Sequence, residues 1–144
     1  WAQLEAARET GLPVILHSWL SGPDIVDAVK GAGFTNGGIL HCFTESVDIA
    51  RAMLDLGFYI SFSGILTYRK ADNVREAARF VPADRILVET DSPYLVPAGL
   101  RKKHERNEPA FIFETLAKLA ETRKAPLGST AEAVTANFRR LFPV

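Results

Sequence analysis

Short apolar runs, each leading into a polar residue, alternate with segments of helical periodicity along this sequence. The runs lie at residues 13–16, 39–40, 58–62 and 85–88. Runs of this length suit buried β-strands and are too short for α-helices. Because they are apolar throughout instead of alternating with polar residues, they favour a parallel sheet covered by helices. The sequence therefore predicts α/β architecture.

Helix signals occupy the segments between the runs. Ser21 and Ser46 are predicted N-caps, and Gly57 can take the left-handed conformation that ends a helix. A helix is predicted over residues 72–80, and another begins near residues 107–109 with Ile112, Leu116, Leu119 and Ala120 inward. Ser129, followed three residues later by Glu132, predicts a capping box at the start of the last helix.

The number of strand–helix units sets the expected size of the fold. Four units occupy most of the 144 residues, whereas a closed eight-stranded barrel needs about 250 residues. Residues 1–144 are therefore predicted to form a single partial domain, about half of a barrel, and an open doubly wound sheet is the alternative. Trp1 opens directly into a helical pattern, so we expect a fragment of a longer protein.

Composition excludes several classes of protein. Cys42 is the single cysteine, so disulfide scaffolds and cysteine-rich zinc motifs are excluded. No apolar run approaches the roughly 18 residues that span a bilayer, and no secretory signal is recognisable, which predicts a cytoplasmic protein without a membrane partner. Seventeen basic residues balance seventeen acidic ones. A basic run at residues 101–106 is one local candidate for phosphate contact, with a solvated loop as the alternative.

Three candidate metal ligands occupy equivalent places at the ends of predicted strands. His17, His41 and Asp91 end the first, second and fourth runs, and the carboxyl ends of parallel strands converge on one side of a sheet. Two imidazoles and a carboxylate suit Zn²⁺, and can also serve Mn²⁺ or Mg²⁺. The alternatives are hydrogen-bonded core histidines and an aspartate that caps a turn.

Several segments of this chain, taken together in this order, resemble the TatD family of metal-dependent deoxyribonucleases. They are PVILHS at residues 13–18, HCF at 41–43, ETDSPYL at 89–95, NEP at 107–109, and Asn137 before Leu141 and Phe142. The resemblance runs over essentially the whole chain.

The resemblance implies a TIM-barrel hydrolase of the metallo-dependent type, with this chain as its C-terminal half, strands five to eight. His17 and His41 would then bind a divalent metal ion on strands five and six. Asp91 would be the ligand on strand eight and the catalytic base that acts on a metal-activated water. Glu89 and Asn107 would support the ligands or contact substrate. The expected reaction is phosphodiester hydrolysis, with DNA as the expected partner.

The chain departs from the family pattern in two respects. Family members usually carry arginine where this chain has Trp19, so a phosphate contact is either lost or replaced by a stacking surface. The His-x-His pair on strand one and the glutamate on strand four would precede Trp1 and require the missing N-terminal half. A second hypothesis therefore stays open, a non-catalytic half-barrel module that associates with itself or with a partner. A nucleotide-binding domain is disfavoured, because no glycine-rich phosphate loop follows any of the predicted strands.

Overall fold

The protein is described by a computed structural model that covers residues 1–142. Helices and strands alternate along the chain, with short 3₁₀ turns at Gly64–Thr67, Ala83–Arg85 and Pro109–Phe111. The strands are β1 (Val14–His17), β2 (Gly38–His41), β3 (Phe58–Phe62) and β4 (Ile86–Val88). The helices are α1 (Ala2–Thr10), α2 (Gly22–Gly31), α3 (Val47–Asp55), α4 (Asp72–Phe80), α5 (Ile112–Arg123) and α6 (Leu127–Leu141).

The four strands form one parallel sheet in the order β1-β2-β3-β4. Because each strand pairs with the next one along the chain, right-handed crossovers carry every connecting helix to the same side of the sheet. A doubly wound sheet needs a point where the strand order reverses, and residues 1–142 contain none. The parallel α/β prediction is confirmed. That residues 1–144 are a single partial domain stays a prediction, and residues 143–144 lie outside the described chain.

The two faces of the sheet are buried in different ways. The face that carries Leu40, Ile60 and Ile86 packs against apolar side chains from all six helices and forms the main core. On the opposite face, a smaller cluster joins Ile39, Tyr59 and Leu87 and packs against the end of α6. Burial of alternate residues on both faces explains why the strands have no polar alternation in the sequence.

Most predicted helix ends agree with the structure. Gly57 has a φ of 84°, and Ser46 accepts a hydrogen bond from the backbone N–H of Ile49 at 3.4 Å. Ser21 precedes α2 but makes no capping hydrogen bond through its side chain. Within residues 1–142, no helix combines the length and apolar character needed to cross a membrane.

Two predictions for the C-terminal helices are wrong. Helix α6 begins at Leu127 after Pro126, and the Ser129 hydroxyl donates to the Pro126 carbonyl at 3.0 Å instead of capping the helix. Pro126, three residues before Ser129, already occupies the N-cap position with an extended backbone, so the capping box does not form. Ile112 is predicted to point inward but is 38% exposed; it is the first residue of α5, directly after a 3₁₀ turn.

Side chains of Asn137 and Arg123 fasten the last two helices to the rest of the fold. Asn137 is 1% exposed, and its amide donates to the carbonyls of Ala83 and Ile86 at 2.8 Å each. Arg123 donates to two carbonyls at the end of α4, and burial lowers the pKa of its guanidinium. These bonds supply donors to the carbonyls of the buried residues Ala78, Val81 and Ile86 and to the carbonyl of Ala83.

Candidate metal centre

The candidate ligands gather at the carboxyl edge of the sheet. His17 and His41 are the last residues of β1 and β2, and they lie opposite each other in the strand register. Glu89 and Asp91 follow β4 immediately. Parallel strands end at the same edge, so residues far apart in the chain become neighbours there.

His41 lies between the two carboxylates. Its Nδ1 is 2.7 Å from Glu89 Oε1, and its Nε2 is 3.0 Å from Asp91 Oδ1. The hydrogen bond to Glu89 is the main cause of a raised pKa for the His41 imidazole, which burial opposes and the charge of Asp91 reinforces. Glu89 Oε1 also accepts the backbone N–H of Cys42 at 3.0 Å, so this carboxylate is held in place from two sides.

Three of these residues offer ligand atoms for one cation. Atoms of His41, Glu89 and Asp91 lie within 4.8 Å of one another. Asp91 Oδ2 is buried and has no hydrogen-bond partner in the described chain, and a buried carboxylate oxygen without a partner is costly. A cation would satisfy it. The nitrogen and oxygen donors fit Zn²⁺, Mn²⁺ or Mg²⁺, so the residues present suit a divalent ion.

His17 stands beside this cluster and not within it. The centres of the His17 and His41 rings are 5.5 Å apart, and the His17 residue is exposed on the edge strand. The structure thus brings two of the three predicted ligands, His41 and Asp91, into contact. The third, His17, lies beside His41 and outside the group of ligand atoms. Glu89, for which the sequence analysis offered a supporting role or substrate contact, makes the shortest contact to His41.

A pocket of about 510 Å³ opens next to the cluster. It is lined by His17 and Asp91 and by residues from the loops after the strands, including Trp19, Leu20, Cys42, Ile65, Tyr94 and Leu95. Trp19 and Tyr94 are 79% and 74% exposed. The volume is typical of small-ligand sites, and its walls offer two accessible aromatic rings.

Backbone strain is concentrated around this pocket. Leu20, Cys42 and Leu95 have φ angles of 53°, 49° and 57° and all line the pocket. Left-handed conformations cost non-glycine residues about 1 kcal/mol or more, and they persist only where the surrounding structure holds them, often near functional sites. Sequence reasoning missed Leu20 and Leu95 because the sequence around a leucine gives no signal of a left-handed backbone.

Asn107 holds one wall of the pocket. It is 4% exposed, and its amide donates to the Tyr94 carbonyl at 2.7 Å. Its backbone N–H donates to the Pro93 carbonyl at 2.9 Å. The predicted role of Asn107 in ligand support or substrate contact stays a prediction, and its observed hydrogen bonds run to the loop that carries Tyr94.

Two buried polar contacts at the pocket were not predicted from the sequence. The Ser18 hydroxyl donates to a carboxylate oxygen of Glu45, and Cys42 Sγ lies 3.4 Å from Ser63 Oγ. Burial raises the pKa of the Cys42 thiol to about 12, so it is protonated at neutral pH. A buried, protonated thiol of this kind packs as a small apolar side chain.

Comparison with known proteins identifies the family to which the chain belongs. The TatD related DNase family matches residues 1–143. The chain belongs to this family. It is 44% identical to the metal-dependent hydrolase YcfH of Escherichia coli K12 over 142 residues, which cover 98% of this chain and 53% of YcfH.

Other TatD relatives bear on the fold and on the chemistry. A crystal structure of the TatD homologue YjjV of Escherichia coli K12 superposes with a TM-score of 0.90 at 31% identity, over 99% of this chain and 54% of that one. A TatD of Salmonella typhimurium, 35% identical over 99% of this chain and 56% of its own length, is named a 3'-5' ssDNA/RNA exonuclease. The chain therefore spans about half the length of the relatives it matches.

Proposed function

We propose that the TatD-family protein containing this chain hydrolyses phosphodiester bonds at the ends of single-stranded nucleic acids with the help of a divalent cation. The observation that carries the proposal is the buried, unpartnered Asp91 Oδ2 beside His41 and Glu89, at the mouth of the pocket. A phosphodiester that entered the pocket would bring its phosphorus next to this cluster.

Each residue of the cluster has a part in the proposed reaction. His17, His41 and Asp91 would hold the cation, and Glu89 orients the His41 ring through Nδ1 and is near enough to join the ligands. When bound, the cation would lower the pKa of water and polarise a phosphoryl oxygen. Asp91 would hold the cation through one carboxylate oxygen and accept the proton of the attacking water through the other.

The pocket walls favour a nucleic acid without a paired strand. Trp19 and Tyr94 present exposed rings on which an unpaired base can stack, a contact worth about 1–3 kcal/mol per base and tolerant of sequence. The exonuclease name of the Salmonella relative supports the same class of substrate. DNA and RNA ends are both consistent with stacking.

The proposal includes the architecture and place of action predicted from the sequence. Strands β1 to β4 would be strands five to eight of a TIM-type barrel in the cytoplasm, and the other strands would supply further ligands. The sequential strand order and the main core, which packs all six helices against one face of the sheet, support the barrel.

Removal and return of metal tests the proposed function. After dialysis against a chelator, hydrolysis of bis(p-nitrophenyl) phosphate is expected to stop, and Mn²⁺, Mg²⁺ or Zn²⁺ should restore it. A labelled single strand should lose nucleotides from its end under the same conditions. A protein that binds no divalent ion and hydrolyses neither substrate would contradict the proposal and favour the non-catalytic assembly module.

Metal affinity should depend on pH through His41. A ligand imidazole must lose its proton before it binds metal, and the pKa of His41 in the metal-free protein lies above its ordinary value of 6.5. As the pH falls below the raised pKa of His41, which lies above 6.5, the affinity for metal should fall by about tenfold per pH unit. Calorimetric titration over roughly pH 5 to 8 measures this. His104→Gln serves as control, and constant affinity across that interval would refute the prediction.

A further inference from the structure

Two loops next to the candidate metal centre are packed against each other. They are residues 63–71, after β3, and residues 89–108, after β4. The Tyr68 hydroxyl donates to the Val96 carbonyl at 3.2 Å. The Arg101 guanidinium lies 4.0 Å from the centre of the Tyr68 ring, and its Nε donates to the same carbonyl at 3.2 Å. A further hydrogen bond of 2.8 Å joins the Ala98 N–H to the Thr67 hydroxyl.

These contacts collect positive charge on one surface. Five cationic side chains lie in two short runs of these loops, residues 69–70 and residues 101–103, and neither run contains an aspartate or glutamate. We name this set the basic rim; it consists of Arg69, Lys70, Arg101, Lys102 and Lys103. All five residues are exposed, and within residues 1–142 none of them forms an ion pair.

The basic rim is unusual for a chain of this composition. The whole sequence has a formal net charge of zero, yet residues 69–70 and 101–103 are all cationic, and the contact of Arg101 with Tyr68 brings these two runs together. Like charges held close together repel each other and lower the stability of the folded state. Such an arrangement is explained when an anionic ligand neutralises it.

The position of the basic rim indicates which anion it meets. The same two loops supply Ile65, Tyr94 and Leu95 to the pocket beside Asp91. Tyr94 and Arg101 are only seven residues apart in one loop. A polymer whose end lies in the pocket would therefore pass over the cations as it leaves. A nucleic acid strand fits both parts, because its bases stack on aromatic rings and its phosphates follow a positive surface.

We infer that the basic rim binds the phosphate backbone of a single-stranded nucleic acid whose end occupies the pocket. This inference rests on the proposed function for the identity of the polymer. The rim makes no base contact, so it would add affinity without sequence preference. Substrates with several phosphates would therefore bind more tightly because of the rim, whereas the affinity for a single phosphodiester would not change.

Two variants of equal charge change test the basic rim. Lys102→Gln/Lys103→Gln removes two cations from the rim. Lys30→Gln/Arg139→Gln removes two exposed cations from the last turns of α2 and α6. These lie at the opposite end of the sheet: α2 leads into the start of β2, and Asn137 of α6 bonds to the carbonyl of Ile86, the first residue of β4. Binding of a dye-labelled thymidine oligomer is measured by anisotropy in chelator at several salt concentrations.

The rim variant should bind the oligomer about 25-fold more weakly at roughly 0.1 M salt, and the slope of log affinity against log salt should fall by about 1.4. Each lost phosphate contact on a single strand accounts for about 0.7 of that slope. The control variant should bind as the unmodified protein does. Equal losses in both variants would overturn the inference, as would anionic vesicles that bind as tightly as the oligomer.

Catalysis on a small substrate separates this inference from the proposed function. Hydrolysis of bis(p-nitrophenyl) phosphate should be unchanged in the rim variant, because that substrate has no further phosphates. If the oligomer binds through the rim but no substrate is hydrolysed, the rim stands and the proposed function fails. If the small substrate is hydrolysed and the rim variant binds the oligomer normally, the function stands and the rim is refuted.

Discussion

Asp91→Asn should lower the rate of phosphodiester hydrolysis by about 1,000-fold, because the amide can neither take a proton from water nor neutralise a cation. The amide has nearly the same shape as the carboxylate, so packing around it is preserved. Steady-state kinetics on bis(p-nitrophenyl) phosphate measure the effect, and metal content per protein shows how much of it reflects lost cation.

Asp27→Asn is the matched control for this change. Asp27 is exposed on α2, away from the pocket, so the same chemical change there should leave the rate within about twofold, as neutral surface substitutions do. Thermal unfolding of both variants separates loss of activity from loss of fold. If Asp91→Asn hydrolysed substrate within threefold of the unmodified protein, Asp91 would not be the base.

Asn137→Asp should lower the free energy of unfolding by about 3 kcal/mol, since it removes the donor for two carbonyls and sets a carboxylate oxygen against them. The Ala83 and Ile86 carbonyls now receive hydrogen bonds of 2.8 Å from the Asn137 amide. Arg140 lies 3.1 Å from Asn137 Oδ1 and would offset part of the loss. Chemical denaturation followed by circular dichroism measures the change.

Asn36→Asp makes the same substitution at a less buried site. The Asn36 amide also donates to two carbonyls, those of Ala7 and Leu12 at 2.8 and 3.1 Å. Asn36 is only half-buried, so water can replace its amide and the loss should stay near 1 kcal/mol. Equal losses at the two sites would show that burial of Asn137 does not set the energy of its hydrogen bonds.

Local patterns in the sequence predicted most of the secondary structure. Helix α4 has the bounds expected from its periodicity, and β3 matches its apolar run. The start of α6 was misplaced, because Ser129 and Glu132 form a capping signal that the preceding Pro126 makes redundant. Helix periodicity, apolar runs and capping signals depend on residues that are close together in the chain, so they can be recognised in the sequence without knowledge of the fold.

The sequence by itself determined the parallel α/β class, the family resemblance and the presence of His17, His41 and Asp91 at strand ends. Only the tertiary structure decided that Glu89 contacts His41, that one oxygen of Asp91 is left without a partner, and that two loops join into a basic rim. The physical reason is distance along the chain. His41 and Glu89 are separated by 48 residues, and Tyr68 and Arg101 by 33. Contacts over such separations depend on the strand register, which sheet packing sets and no local pattern encodes.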